Sequence, residues 1–306
     1  MKKLFLLCLV VMVACTPSPK PQNNAAELPI SDFSSQETTT PENMAVQDMP
    51  RHNPELPEHL TFCGSPVPID RQDIKERLDQ ELLIMANWHS RTLLCLKRAH
   101  RYFPAMEAEL KRNQIPDDMK YLAVIESSLD NVVSPRGAVG VWQIMPATAK
   151  EYGLLVSKSV DERYDVVKST KVACKYLSKS YKKLENWELS AASYNMGLAG
   201  ISRLVDRQKQ KDYFDLYLNS ETRRYVFRIL AAKIIFENPE KYGFQLSNDQ
   251  KYPPYQYQYD TLRARKVKWI DYALAKDRSY AELKLHNPWI RMSKTSFRKE
   301  RTFVIK

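Results

Sequence analysis

From residue 71 to residue 246 apolar residues recur at helical spacing, and no stretch alternates as a half-buried strand would. Ile74, Leu78, Leu82 and Met85 form one stripe, and Leu93, Leu96, Ala99 and Tyr102 a second. Pro104 occupies a helix-start position, followed by Met106 and Leu110. Thr148 to Tyr152 read as helix closed by Gly153. Residues 166–184 carry Val167, Val172, Tyr176, Leu177 and Tyr181 on one side and lysines on the other. Leu189 to Tyr194 start another helix, and residues 221–236 are strongly helical until Asn238-Pro239. The pattern predicts a mainly α domain over residues 71–246. Composition narrows the chemistry. Only 7 Gly stand against 17 Tyr and 10 Phe, and neither GxGxxG nor GxxxxGK[ST] occurs, so nucleotide-binding α/β folds have no support. The 5 His form no HExxH and the cysteines no CxxC, so no metal and no cofactor are expected.

The flanks differ from this domain. Residues 1–15, MKKLFLLCLVVMVAC, place two lysines before an apolar run too short to span a bilayer. The ending Val13-Ala14-Cys15 resembles the lipobox of bacterial lipoproteins, although Met12 stands where that box usually has Leu. The resemblance makes residues 1–15 a lipoprotein signal peptide and Cys15 the acylated residue. Residues 16–70 are rich in Pro, Ser, Thr, Asn, Gln and Glu. Such a composition buries too little apolar surface to offset the entropy of ordering, so a disordered linker is expected, with folding from about Val67-Pro68-Ile69-Asp70. Residues 247–306 read as a helical extension, a candidate accessory module, with short helices over Trp269–Ala275 and Tyr280–Leu285. Cys63, Cys95 and Cys174 are an odd number; one disulfide or three free thiols both fit an exported chain.

The chemistry points to residues 116–146. Glu126 follows the apolar run Tyr121, Leu122, Ala123, Val124 and Ile125, and a turn with Ser134-Pro135-Arg136-Gly137 comes next. A carboxyl at the end of a buried helix is a group that desolvation keeps protonated towards neutral pH. Asp130, Asp161 and Asp165 lie nearby in sequence, but each fits a turn or cap better than a second catalytic group. Trp88 and His89, between the first two helices, fit a structural role.

Three separated motifs then occur in order. The first is Glu126-Ser127 with Ser134-Pro135-Arg136-Gly137-Ala138-Val139-Gly140-Val141-Trp142-Gln143-Ile144-Met145-Pro146. The second is Ala191-Ala192-Ser193-Tyr194-Asn195-Met196-Gly197, and the third Glu221-Thr222-Arg223-Arg224-Tyr225-Val226. Together, over roughly residues 100–245, they resemble the lytic transglycosylase (SLT) domain, most nearly that of the membrane-bound D type. The resemblance implies a lysozyme-like helical fold, related to goose-type lysozyme, with a deep glycan cleft. It implies a carbon–oxygen lyase that cuts the β-1,4 bond between N-acetylmuramic acid and N-acetylglucosamine in peptidoglycan and leaves 1,6-anhydromuramoyl ends. Glu126 is then the catalytic acid and base. Ser134, Gln143, Met145, Tyr194, Asn195 and Tyr225 are then substrate-site residues, with Tyr225 close to Glu126.

A formal charge of +11 suits an anionic polymer or membrane. Nucleic-acid motifs are lacking, so no nucleic acid is expected. The expected partners are peptidoglycan glycan strands and, through Cys15, a membrane leaflet facing the periplasm. Thr16 rather than Asp after the cysteine favours the outer membrane by analogy with lipoprotein sorting. A monomer is expected. A hydrolytic muramidase and a non-catalytic wall-binding scaffold are the alternatives.

Overall fold

A helix buried along most of its length belongs in the middle of a core, and α8 (Ser220–Glu237) has that character. Tyr225, Val226, Phe227, Ile229, Leu230, Ala231, Ala232 and Ile235 along it are all buried. The structure, a computed structural model, describes residues 53–306; the leader, Cys15 and residues 16–52 lie outside the described residues.

Around α8 pack α1 (Gln72–Asn87), α3 (Lys120–Ser127) and α6 (Trp187–Met196). A second layer is formed by α2 (His89–Arg112) and α5 (Val166–Leu184), with α4 (Pro146–Glu151) and α7 (Leu198–Gln208) beside them. Polar caps start the long helices. The side chains of Asp165, Asn186 and Asn219 accept from the backbone N–H of Lys168, Leu189 and Thr222, at the N-termini of α5, α6 and α8. Between residues 71 and 246 no strand forms among the described residues, only isolated bridges. No helix of the described residues is long and apolar enough to cross a membrane.

Three expectations need correction. Pro104 does not start a helix; α2 runs through it. Cys95, Ala99, Met106 and Leu110 form one buried stripe on both sides of the proline, and packing against α5 outweighs the lost backbone hydrogen bond. The chain is also ordered before Val67. A hairpin of β1 (Thr61–Phe62) and β2 (Ser65–Pro66) turns at Cys63-Gly64, both with positive φ, and buries Leu60 and Phe62. Two apolar residues in a long polar stretch are invisible to an average composition.

The third correction concerns residues 247–306, which are not a helical extension. The strands β3 (Asp260–Lys268) and β4 (Lys294–Ile305) pair antiparallel, from Asp260 opposite Ile305 to Lys268 opposite Lys294. The helices α9 (Trp269–Leu274) and α10 (Tyr280–His286) lie between them in the chain. Only Thr295, Phe303 and Ile305 of β4 are buried, so Arg, Lys and Glu on the exposed face swamp the alternating signal. Cys63, Cys95 and Cys174 are free thiols, all raised in pKa by burial.

Because α8 carries the third motif, its cap matters. Asn219→Ala is expected to cost about 1 kcal/mol in denaturant unfolding, the usual price of an N-cap, with Asn219→Asp recovering most of it.

Candidate active site

Glu126 is the penultimate residue of α3. Tyr121, Leu122, Ala123 and Val124 bury the preceding turn. The helix stops because Ser128 and Leu129 take left-handed conformations, φ 57° and 56°. Ser127 Oγ donates to the carbonyls of Ala123, at 3.1 Å, and Val141, at 2.8 Å, which ties the helix end to the following loop.

The half-buried Glu126 carboxyl faces α8. Tyr225 Oη donates to Glu126 Oε1 at 2.6 Å. Arg228, one turn further along α8, donates to the Ile125 carbonyl at 3.3 Å. Burial pushes the carboxyl above the ordinary carboxylate range; the Tyr225 hydrogen bond and the Arg228 charge oppose the rise, and the Glu221 charge adds to it. Burial also holds the Tyr225 phenol well above its ordinary value, with Glu126 reinforcing the effect. Tyr225 therefore stays a donor.

The loop of residues 131–145 is joined to the end of α3 by the Ser127–Val141 hydrogen bond. Trp142 is fully buried and donates from Nε1 to Thr170 Oγ1 at 2.8 Å. Gly140 has φ +82°, and a Cβ there would lie 2.3 Å from the Arg163 carbonyl oxygen, so only glycine fits. Arg163 is buried, grips Asp161 with two hydrogen bonds, and donates to the carbonyls of Gly137 and Ile144 at 2.8 and 2.9 Å.

Gln143, Met145, Tyr194 and Asn195 line one groove of about 330 Å³. Gln143 adopts φ 45° and donates from Nε2 to the carbonyls of Gly140 and Val132. Tyr194 Oη donates to the Trp142 carbonyl at 2.8 Å. Asn195 donates to Glu221 at 2.9 Å and accepts from Thr222 Oγ1 at 2.8 Å. Ser134 is not among the groove residues; its Oγ accepts from the Ala138 N–H and closes its own turn. Glu126 and Tyr225 are also outside that lining.

The three neighbouring acids do structural work. Asp130 pairs with Arg98 at 2.7 Å, Asp161 grips Arg163, and Asp165 caps α5. His89 stacks on Phe244 with centroids 5.1 Å apart. Sequence reasoning missed Glu221, Arg228 and Arg163. The first two were legible, because residues 221, 225 and 228 share one helical face, the face that meets Glu126. Arg163 carried no local signal; its partners are 19 and 26 residues away.

A desolvated carboxyl at a helix end under a tyrosine donor, in an α-helical domain, can hold a proton and release it. Residues 103–216 match the family described as the transglycosylase SLT domain, and residues 259–306 the soluble lytic transglycosylase C-terminal LysM-like domain. Residues 103–216 thus carry an SLT-type lytic transglycosylase domain. Tyr225 lies beyond the matched segment. The chain is 28% identical over 253 residues to membrane-bound lytic murein transglycosylase D of Escherichia coli K12, covering 80% of this chain and 55% of that protein. It is 28% identical over 116 residues to a putative tributyltin chloride resistance protein of an Alteromonas species, covering 37% of this chain and 56% of that one. The 70 kDa soluble lytic transglycosylase of E. coli is similar in structure over 50% of this chain and 27% of its own, at TM-score 0.40 and 24% identity. The chain thus spans about half the length of the curated relatives it matches.

A carboxyl raised in the folded state binds its proton there at pH values where the unfolded chain has released it. Stability must then fall as pH rises from the ordinary carboxylate range through the folded value, and stay lowered above it. Glu126→Gln keeps an acceptor for Tyr225 and removes the charge. Its Tm should exceed that of the parent at neutral pH, and the difference should vanish below the ordinary carboxylate pKa.

Proposed function

We propose that the domain cleaves peptidoglycan glycan strands without water, at the β-1,4 bond between N-acetylmuramic acid and N-acetylglucosamine. The observation that carries this reading is the desolvated Glu126 carboxyl held by Tyr225 at 2.6 Å. Glu126, protonated, donates its proton to the bridging oxygen as the C1–oxygen bond breaks. The acetamido group of the same sugar shares the developing positive charge. Glu126, now a carboxylate, removes the proton of the C6 hydroxyl, and that oxygen bonds to C1. The proton count returns to the start, and the product is a 1,6-anhydro ring. The nucleophile is already attached to the substrate, so its effective concentration is high.

Roles for the other residues follow. Gln143 and Asn195 meet the N-acetyl and hydroxyl groups, Met145 and Tyr194 wall the glycan cleft, and Ser134 serves the acetamido group. Fixing of Gln143 by two backbone carbonyls, and of Asn195 by Glu221 and Thr222, supports rigid recognition. Tyr225 orients the carboxyl and tunes it. Acylation of Cys15 would anchor the chain to the outer membrane on the periplasmic side, within reach of the wall.

Digestion of purified peptidoglycan, with products identified by mass, tests the reading. Anhydromuramoyl ends are expected; reducing muramic ends alone would mean a hydrolase. Glu126→Gln should lower turnover by about 10²–10⁴-fold, the usual worth of general acid–base catalysis, while binding of insoluble glycan persists. Undiminished cleavage by that variant would exclude Glu126 as the acid.

Tyr225→Phe gives a second test. Its hydrogen bond favours the charged carboxylate, so its loss raises the Glu126 pKa. Activity that needs the protonated acid then falls off at higher pH than in the parent. A limb that is unmoved, or moved to lower pH, would contradict the role given to Tyr225.

A further inference from the structure

Residues 259–306 do not hang beside the helical domain. The described residues form two apolar cores, and the loop bearing Gln143 and Met145 is divided between them. Val141, Trp142 and Ile144 are buried in the main helical core. Val139, two residues before Val141, is 3% exposed, and it is buried in the other core with Trp269, Trp289, Ile290, Phe303 and Ile305. Val160 and Tyr164 join it there.

The backbones are joined as well. The Asp161 N–H donates to the Trp289 carbonyl and the Arg291 N–H to the Ser159 carbonyl, both at 2.9 Å, with Val160 bridged to Ile290 between them. Lys306 Nζ lies 2.7 Å from the buried Asp165 carboxylate, and the Arg291 guanidinium stacks 3.9 Å from the Tyr164 ring centre. From this seam the connection to the site is short. Asp161 holds Arg163, and Arg163 holds the Gly137 and Ile144 carbonyls on the two arms of the loop.

We infer that the C-terminal βααβ module is a positioning part of the catalytic centre, which holds the loop bearing Gln143 and Met145 through Val139 and the Asp161–Arg163 pair. A tethered accessory module would contribute nothing to the burial of a loop residue. Here, Val139, Val160 and Tyr164 would be left without their apolar partners if the module undocked. Loop segments open locally when buried apolar contacts are few, so loosening the seam frees residues 134–145 before it disturbs α5 or α8. The catalytic consequence rests on the function proposed above; the mechanical link does not.

The test uses the full chain and two readouts. Amide hydrogen exchange follows residues 134–145, and kcat and KM are measured on glycan fragments. Ile290→Ala, on the module side of the seam, is expected to speed exchange in 134–145 while α8 keeps its protection. It should lower kcat about tenfold with a smaller change in KM and leave the pH at which activity falls off unchanged, because Glu126 and Tyr225 are untouched. Ile290→Val should restore most of both readouts. Arg291→Ala, an exposed change that removes the stack on Tyr164 and a hydrogen bond to the Pro288 carbonyl, should act in the same direction more weakly, and serves if Ile290→Ala does not fold. Arg263→Ala, exposed on β3, should change neither readout. Exchange in 134–145 that stays at the parental rate while β3 and β4 exchange faster would overturn the inference. A parent chain that cuts no glycan would instead sink the proposed function and leave the exchange result to decide the link.

Discussion

The hydrogen bond from Tyr225 to Glu126 joins the two elements on which the site depends. Glu126 needs burial to hold its proton, and burial alone would leave a carboxyl without a fixed direction. α3 supplies the burial through its apolar turn, and α8 supplies the donor. The bond can be short and fixed because neither side is free to move: α8 is buried along most of its length, and α3 is closed by two left-handed residues and stitched to the loop by Ser127. The same face of α8 presents Glu221 and Arg228, whose charges act on the carboxyl in opposite senses. The acid's proton affinity is thus set by one helix face as much as by depth.

The loop opposite has a different logic. It contains little regular structure, so its shape is imposed by what grips it. Arg163 supplies two hydrogen bonds to its backbone, Gly140 permits the close approach that this grip demands, and Val139 enters one core while Val141, Trp142 and Ile144 enter another. A buried Arg163 without Asp161 would be an uncompensated charge; the pair is therefore kept together, and the C-terminal module binds the backbone of Asp161 directly. Groove, loop and module form one mechanical series.

Much of this could be read from sequence, and the gaps have physical causes. α5 fell on its expected residues because its apolar stripe is regular and its cap is local. The approach of Tyr225 to Glu126 was legible because the motifs that carry the two residues are contiguous. Pro104 misled because the proline preference for helix starts is a local rule, and a buried stripe on both sides overrode it. The strands β3 and β4 were missed because most of their side chains face solvent and nearly half are charged. Ser134 was placed by its motif alone; its hydroxyl accepts from the Ala138 N–H, and its own proton is left to donate. Arg163 could not be found at all, since its role exists only once residues far apart in the chain have met.

The central claim is that burial keeps the Glu126 proton beyond the range of an ordinary carboxyl. Direct titration of the side-chain carboxyl by carbon NMR, with Glu126→Gln to assign the resonance, measures this without substrate. The account predicts a Glu126 pKa above those of the exposed glutamates of the same chain. A Glu126 carboxyl that titrates with the exposed glutamates would contradict it.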